Sequence, residues 1–272
     1  MKITTVNVNG IRAAVRKGMR DWVAAEAPDV ILMQEVRADP EIVTTVLPNS
    51  AYTVLVEASK LKGRAGVAVA VRHGLDIGEV RRGLPEDDIP VDTGRWLEVD
   101  LPGLTVISAY LHSGVASKPE KMDAKYAHLD RVSARLAELD TAAPILVCGD
   151  FNVVRDERGI ANWRSNHNRT SGVLDQEIAY LDRWFEAGWS DVQRELEDRA
   201  GGVVETDGVK KDVYTWWSQR GKAFDNNVGW RIDYQMATAP LAARAETFAV
   251  GRADAWDRRW SDHAPLTVTY DL

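Results

Sequence analysis

Twice along this chain an apolar run ends in a polar residue, a helical segment follows, and the next apolar run ends in an acid: TVNVNG leads to ILMQE, and VISAYLHSG leads to ILVCGDFN. A buried strand, a helix and a second buried strand make a β-α-β unit, whose right-handed crossover lays the strands side by side with the helix on one face. The two halves share this pattern more than residue identity. Further strand-like runs lie at AYTVLVE, GVAVAVR, RWLEVDL, RIDYQMA and PLTVTY. Helical patterns fill MRDWVAAEA, DPEIVTTVL, PEKMDAKYAHLDRVSARLAEL and DQEIAYLDRWFEAG, the last stopped by Gly188. If the paired units pack as two sheets face to face, their strand ends gather along one edge of a sandwich. No Pro/Ser-rich linker divides the chain, so residues 1–272 read as one α/β domain.

Cysteine usage narrows the class. The single Cys148 sits inside PILVCGD, which excludes a disulfide framework and reads as a buried small hydrophobe rather than a nucleophile. The N-terminal MKITTVNVNGIR has no apolar signal core, and no apolar run reaches transmembrane length, so a soluble cytoplasmic protein is expected. A formal net charge of -7 argues mildly against a protein that coats nucleic acid by bulk electrostatics, yet it leaves room for a local basic rim. Acids gathered around a metal also lower the net charge. Ten tryptophans exceed what the core needs, and those in polar surroundings are candidates for stacking.

Asn7, Glu35, Tyr110, Asp150, Asn152, Asp233, Asp262 and His263 all fall at strand boundaries, where α/β proteins place their sites. Taken alone, SDHAP is ordinary turn chemistry. Turns, however, have no use for Glu35 or Tyr110. The set is rich in carboxylate and amide oxygens and holds one well-placed His, which selects Mg²⁺ or Mn²⁺ over Zn²⁺. Glu35 is the expected main ligand, with Asn7 beside it. Asp150 and Asn152 lie two apart, so an extended segment points both to one side, as a base for water and an amide donor for a developing oxyanion. His263, with one ring nitrogen held by Asp233, presents a charged donor to a phosphate oxygen. The reaction class is metal-assisted phosphodiester hydrolysis by in-line attack of water. GRAGVAV reads as a turn into a strand and not as a phosphate loop. The loop NWRSNHNRTSG, with Arg164, Asn166, His167, Asn168 and Arg169, suits either solvent or a phosphate backbone.

Together, VNVNGIR, MQE, GDFN, GWRIDY and WSDHAPL resemble the exodeoxyribonuclease III / class II AP endonuclease family, in its motif order and over the chain from Lys2 to the end. GDFN and SDHAP alone would indicate only the wider DNase I-like superfamily, and YTWWSQRGKAFDNNVGWRIDY narrows the likeness to the DNA-repair branch. The resemblance implies a four-layered α/β sandwich of two packed mixed β-sheets flanked by helices. It implies a magnesium site at Asn7 and Glu35 with Asp262 on the metal side, and Asn9, Asp150 and Asn152 as further donors. Tyr110 would contact the scissile phosphate, Asp150 activate water, Asn152 orient water or phosphate, and Asp233 and His263 bind phosphate. Trp216, Trp230 and Ile232 would form the apolar recess for a flipped abasic sugar, which is cheap to extrude because it lacks its base.

The implied enzyme is a Mg²⁺-dependent monomer, with Mn²⁺ as a substitute, acting on double-stranded DNA that is abasic or damaged at its 3′ end, with no membrane partner. It would cut 5′ to an abasic site to leave a 3′-hydroxyl, with 3′-5′ exonuclease and 3′-phosphatase activities. Two features depart from the family pattern: His112 and Ser113 in YLHSGVAS, and Trp260 before SDHAP. Two alternatives compete. A phosphodiesterase of the same superfamily acting on an inositol phosphate or sphingolipid is disfavoured by the tryptophan recess. A catalytically silent DNA-binding protein would show substitutions in the metal and phosphate residues, and none is seen.

Overall fold

The computed structural model describes residues 1–48, 51–85, 89–201, 204–206 and 209–272, and among them parallel pairing is confined to two places. Those places are the two β-α-β units. The first half of the chain supplies β1 (Lys2–Asn7), β2 (Val30–Gln34), β3 (Tyr52–Glu57), β4 (Val67–Arg72), β5 (Val80–Arg82), β6 (Trp96–Leu101) and β7 (Leu104–Tyr110). The second half supplies β8 (Ile145–Asp150), β9 (Trp189–Asp191), a hairpin of β10 (Val204–Thr206) and β11 (Val209–Lys211), and the short pair β12 (Trp216–Trp217) and β13 (Gly229–Trp230). It ends with β14 (Asp233–Thr238), β15 (Ala245–Val250) and β16 (Leu266–Tyr270). One six-stranded sheet runs β15-β16-β1-β2-β4-β3 and the other β5-β6-β7-β8-β14-β9. In the first, β1 and β2 are parallel; in the second, β7 and β8 are, and the other pairings are antiparallel.

The burial pattern explains the layering. Every residue of β2, β8 and β14 is buried, as a strand covered on both faces requires, whereas the edge strand β3 alternates. Between the sheets lie Ile3, Leu32, Val69, Val99, Val106, Leu146, Cys148 and Val268. Outside the first sheet, Val6, Ile31 and Met33 pack on Ile11, Met19 and Val23 of the helices Ile11–Arg16 and Met19–Glu26. Outside the second, Ile107, Val147 and Met236 pack on Leu129, Val132 and Leu136 of Pro119–Glu138 and on Leu181 and Trp184 of Asp175–Glu186. Helix, sheet, sheet and helix form the four-layered sandwich. No helix among the described residues is long and apolar enough to cross a membrane.

DPEIVTTVL corrects an expectation: only Pro40–Val43 is helical. Thr44 and Thr45 turn their hydroxyls back onto the carbonyls of Pro40 (3.0 Å) and Ile42 (2.9 Å), a local competition that ends the helix. The helices Ile11–Arg16 and Val192–Ala200 and the strands β5, β9 and β15 carry too few periodic apolar residues to stand out in sequence. GRAGVAV is, as expected, a turn into β4.

Register fixes the position of the site. Asn7 on β1 stands opposite Gln34, one residue before Glu35. Tyr110 stands opposite Asp150, and Asp150 opposite Asp233. Five strands from two sheets therefore end, or in the case of β14 begin, at one edge.

Candidate active site

Backbone conformation turns the acids into the cleft. Glu35 leaves β2 in the left-handed region at φ 52, and Asn9 and Asn152 follow with φ 45 and 52. Such geometry is uncommon outside glycine and concentrates at functional sites. For Asn152 this overturns the extended reading of GDFN: its backbone N–H donates to Asp150 Oδ1 (3.0 Å), and its side-chain amide donates to the Leu111 carbonyl (2.9 Å). The loop folds back by an Asn/Asp-type turn instead of continuing the strand. Just before it, a Cβ on Gly149 would lie 1.7 Å from the Ala109 carbonyl oxygen, so glycine alone lets β8 draw close enough to β7 to set Asp150 beside Tyr110.

The side chains form one hydrogen-bonded cluster. Asn7 Nδ2 donates to Glu35 Oε1 (3.1 Å) and to Asp150 Oδ2 (2.8 Å), while its Oδ1 accepts from the Asn9 N–H. Asn7 thus braces two carboxylates with its N–H groups. The Tyr110 hydroxyl donates to Glu35 Oε1 at 2.5 Å, and Arg37 pairs with Glu35 Oε2. Across the cleft, Asn9 Nδ2 (2.8 Å) and Trp216 Nε1 (3.3 Å) donate to the two oxygens of Asp262. His263 Nδ1 lies 2.8 Å from Asp233 Oδ2, and its Nε2 lies 3.7 Å from Asp150 Oδ2. Ser261 Oγ donates to the Asn7 carbonyl (2.6 Å), tying SDHAP to the end of β1. Trp260 stays out of the cleft, nearly buried and packed against Trp22.

Electrostatics divides these groups by role. Burial, reinforced by Asp233 and Glu35, pushes the Asp150 carboxyl up to about 7 against the pull of His263. His263 moves oppositely. Burial disfavours its charge, but the Asp233, Asp150 and Asp262 carboxylates outweigh burial and raise it to about 10. The fixed Nδ1 partner leaves Nε2 as a charged donor at neutral pH. Burial also works against an ionised Asp262, yet His263, Asn9 and Trp216 hold it below the usual carboxylate range. Tyr110 is held protonated, first by burial and then by Glu35 and Asp150.

A cleft of about 660 Å³ gathers most of these groups, lined by Asn9, Glu35, Tyr110, Asp150, Asn152, Asp262 and His263 on one side and by Trp216, Trp230 and Ile232 on the other. The two indoles meet edge to face at 5.6 Å and pack over Val154, Ile160 and Val173. The NWRSNHNRTSG loop contributes Arg169, Thr170 and Ser171 to this cleft. Its other members are placed differently: Asn166 bonds within the loop to the Asn162 carbonyl (2.8 Å), Asn168 and His167 bind Asp175 (2.8 and 2.5 Å), and Arg164 is exposed outside the lining. Sequence reasoning missed Arg37, which lines the cleft two residues beyond Glu35. It also missed Lys125, whose Nζ is buried against Glu177 (2.6 Å) and donates to the Asn152 carbonyl (3.0 Å). The spacing in MQEVR was the available signal for Arg37; for Lys125, a charge on the buried face of an amphipathic helix.

The donor set fits a hard divalent cation. Glu35, Asp150 and Asp262 turn oxygen towards one cleft, with Asn9 and Asn152 beside them, and Asp150 and Asp233 bring carboxylate oxygens within 4.8 Å of one another. Buried carboxylates, a carboxylate-held imidazolium and a cleft open to a polymer's backbone define a metal-dependent phosphodiester hydrolase on a four-layered sandwich.

Comparison with known proteins agrees. Residues 4–263 match the endonuclease/exonuclease/phosphatase family. Exodeoxyribonuclease III of Haemophilus influenzae is 30% identical, over 99% of this chain and 100% of its own. An AP endonuclease from Archaeoglobus fulgidus superposes with a TM-score of 0.83 at 26% identity, and a 3′-5′ exonuclease from Neisseria meningitidis with 0.86 at 25%, each over 100% of both chains. The chain belongs to the endonuclease/exonuclease/phosphatase family, in its exodeoxyribonuclease III / AP endonuclease branch.

Proposed function

We infer that this DNA-repair phosphodiesterase hydrolyses the DNA backbone 5′ to abasic sites, leaving a 3′-hydroxyl, and trims 3′ ends and 3′ phosphates at the same centre. The observation that carries the reading is the juxtaposition, in one cleft, of the carboxylate and imidazole cluster with the recess formed by Trp216, Trp230 and Ile232. An abasic sugar can rotate into an apolar recess at little unstacking cost, and the recess then sets which phosphate meets the cluster.

Mg²⁺, with Mn²⁺ as a substitute, suits Glu35 and Asp262, with Asn9, Asn7, Asp150 and Asn152 close by, and supplies Lewis-acid stabilisation of the phosphate charge. The chain's own groups do the rest. Asp150, with a carboxyl poised near neutrality, takes the proton from the attacking water, and Asn152 orients that water. The His263 imidazolium, fixed by Asp233, donates to a non-bridging oxygen as negative charge accumulates. Tyr110 has a protonated hydroxyl to offer the scissile phosphate. The oxygen–phosphorus bond opposite the incoming water breaks, and the departing 3′ oxygen takes a proton from solvent to become the 3′-hydroxyl while Asp150 releases the proton it took from water.

Residues 1–272 act as one unit on double-stranded DNA, as a monomer in the cytoplasm. Arg37 and Arg169 at the cleft give the local positive rim that an acidic chain needs to hold a phosphate backbone. The test is cleavage of an end-labelled duplex carrying one stable abasic analogue, beside intact and 3′-recessed duplexes, with Mg²⁺ and with chelator. A single Mg²⁺-dependent cut at the lesion is expected. Failure of the folded protein to cut any of these duplexes would refute the reading.

A further inference from the structure

His128 is an anomaly on the helix Pro119–Glu138. Its side chain is fully buried, and among the described residues neither ring nitrogen has a hydrogen-bond partner. Buried polar groups are almost always partnered, and a solitary buried imidazole loses both hydration and hydrogen bonding. Its neighbours suggest what is missing. The His112 ring meets it edge to face at 4.9 Å, and His112 Nε2 lies 2.5 Å from Asp92 Oδ1. Asp92, His112 and His128 each offer a ligating atom within 4.8 Å of the others.

We propose that Asp92, His112 and His128 form a second metal site, separate from the catalytic cluster, that takes a transition-metal dication of the Zn²⁺ type. The charges around it choose the ion. Arg131 Nη1 holds the second oxygen of Asp92 at 3.2 Å. Arg95 lies close by, its Nε on the Val91 carbonyl (3.0 Å), its Nη1 on the Tyr110 carbonyl (3.3 Å) and its guanidinium over the Tyr110 ring. Lys125, on the same helix, is neutralised by Glu177. Two guanidiniums near a single carboxylate make a poor site for Mg²⁺ or Ca²⁺, which bind through charge and oxygen. An ion that bonds strongly to neutral imidazole is favoured instead. Burial lowers both imidazoles from their ordinary range, against the pull of Asp92 at His112 and reinforced by His112, Arg95 and Arg131 at His128, in the direction that ligation needs.

The geometry is that of an open three-ligand site. Two donors on one tetrahedral ion lie about 3.3 Å apart for bonds of ~2.0 Å. The His112–Asp92 contact must therefore widen as the ion takes the place of the shared proton, with the His112 ring keeping its proton on Nδ1. Arg131 orients the carboxylate from outside, as second-shell groups do in metal sites. Access comes from a cavity of about 590 Å³ that His112 lines together with Arg37, Arg95 and Tyr110. The three ligands come from the turn Pro90–Asp92, the residue two beyond Tyr110, and a helix. A bound ion would therefore staple the segment behind Tyr110 through Arg95.

Zn²⁺ alone, titrated calorimetrically into metal-stripped protein in millimolar Mg²⁺, tests this against His128→Gln and His112→Asn. Wild type is expected to bind one more zinc equivalent than either variant, with a melting temperature raised on the order of 5 °C at ~100 times Kd, a rise absent in both variants. Cobalt replacing the zinc should give the visible absorption of a tetrahedral, nitrogen-ligated ion in wild type only. Equal zinc stoichiometry in wild type and in a variant with wild-type near-UV circular dichroism would overturn the proposal. Absence of zinc binding throughout would also overturn it, leaving water as the partner of His128. If His128→Gln does not fold, His112→Asn carries the test, since its ring lies at the cavity wall.

Discussion

Gly149→Ala isolates the dependence of the site on sheet packing. An alanine Cβ would sit 1.7 Å from the Ala109 carbonyl oxygen, 2.8 Å from its carbon and 3.2 Å from its nitrogen, all backbone atoms of the adjoining strand. The first contact falls about 1.7 Å short of the 3.4 Å at which ordinary contact begins, and no side-chain rotation can relieve it. β8 must therefore move away from β7 where Tyr110 pairs with Asp150. Overpacking of this kind costs about 3 kcal/mol or more once backbone shifts are included, which for a chain of this size lowers the melting temperature by roughly 6–12 °C. Displacement of Asp150 from Tyr110 by about 1 Å is expected to reduce single-turnover cleavage on the order of 100-fold. Thermal unfolding and rapid-quench cleavage of an abasic duplex, both on the same preparation, give the two numbers. An alanine variant with wild-type stability and rate would show that the close approach of β7 and β8 does not set the catalytic geometry.

Further outcomes follow from the same contacts. Glu35→Ala removes a charge at the cleft and little core volume, so Mg²⁺-dependent cleavage should disappear while the melting temperature changes little, and chelation of wild type should reproduce the loss. Asp233→Asn removes the carboxylate that holds His263 charged: the imidazole titration, followed by NMR, should fall from about 10 to well below that, with a loss of cleavage of about 10²-fold or more. Because the folded value is raised above the ordinary 6.5, the stability that His263 contributes is complete below about 6.5 and disappears as pH rises through about 10. Denaturant midpoints of wild type should decline over that window more than those of Asp233→Asn. Lys125→Met removes the counter-charge of the buried Glu177, leaving its carboxylate only Ser171 and the Gly172 and Leu174 N–H groups, and denaturant unfolding should show a loss of about 3 kcal/mol.

Several site positions were legible because strand ends are legible. A buried apolar run that stops at Glu35, Tyr110 or Asp150 has no local reason to choose those residues, and the structure brings all three to one cleft. The pairing of His263 with Asp233 was also readable, since an imidazole at a strand entrance needs an orienting carboxylate. Asn152 was misread as extended because GDFN was read as strand, whereas the Asn152 N–H turns back onto Asp150 and its side-chain amide is fixed by a hydrogen bond to the Leu111 carbonyl, 41 residues away. Composition alone singled out Asn166 and Asn168 as phosphate contacts, but not their own partners: Asn166 bonds within the loop to Asn162 and Thr170, and Asn168 bonds Asp175 where the loop closes onto the next helix.

Amino-acid order alone determined which segments are buried on both faces, that two β-α-β units exist, and which oxygen-rich residues terminate their strands. These are consequences of local pattern, since burial and strand pitch act on neighbours in sequence. Tertiary structure alone decided the charge states and partners. Asn9 meets Asp262 across 253 residues, and the Asp150 carboxyl is pushed up to about 7 because the packed sheets bury it and bring Asp233 and Glu35 beside it. Two histidines and an aspartate, which the sequence scatters over a turn, a strand end and a helix, become neighbours by the same packing. Coulombic and desolvation energies depend on distance and burial in space, and only the closing of one sheet upon the other sets those.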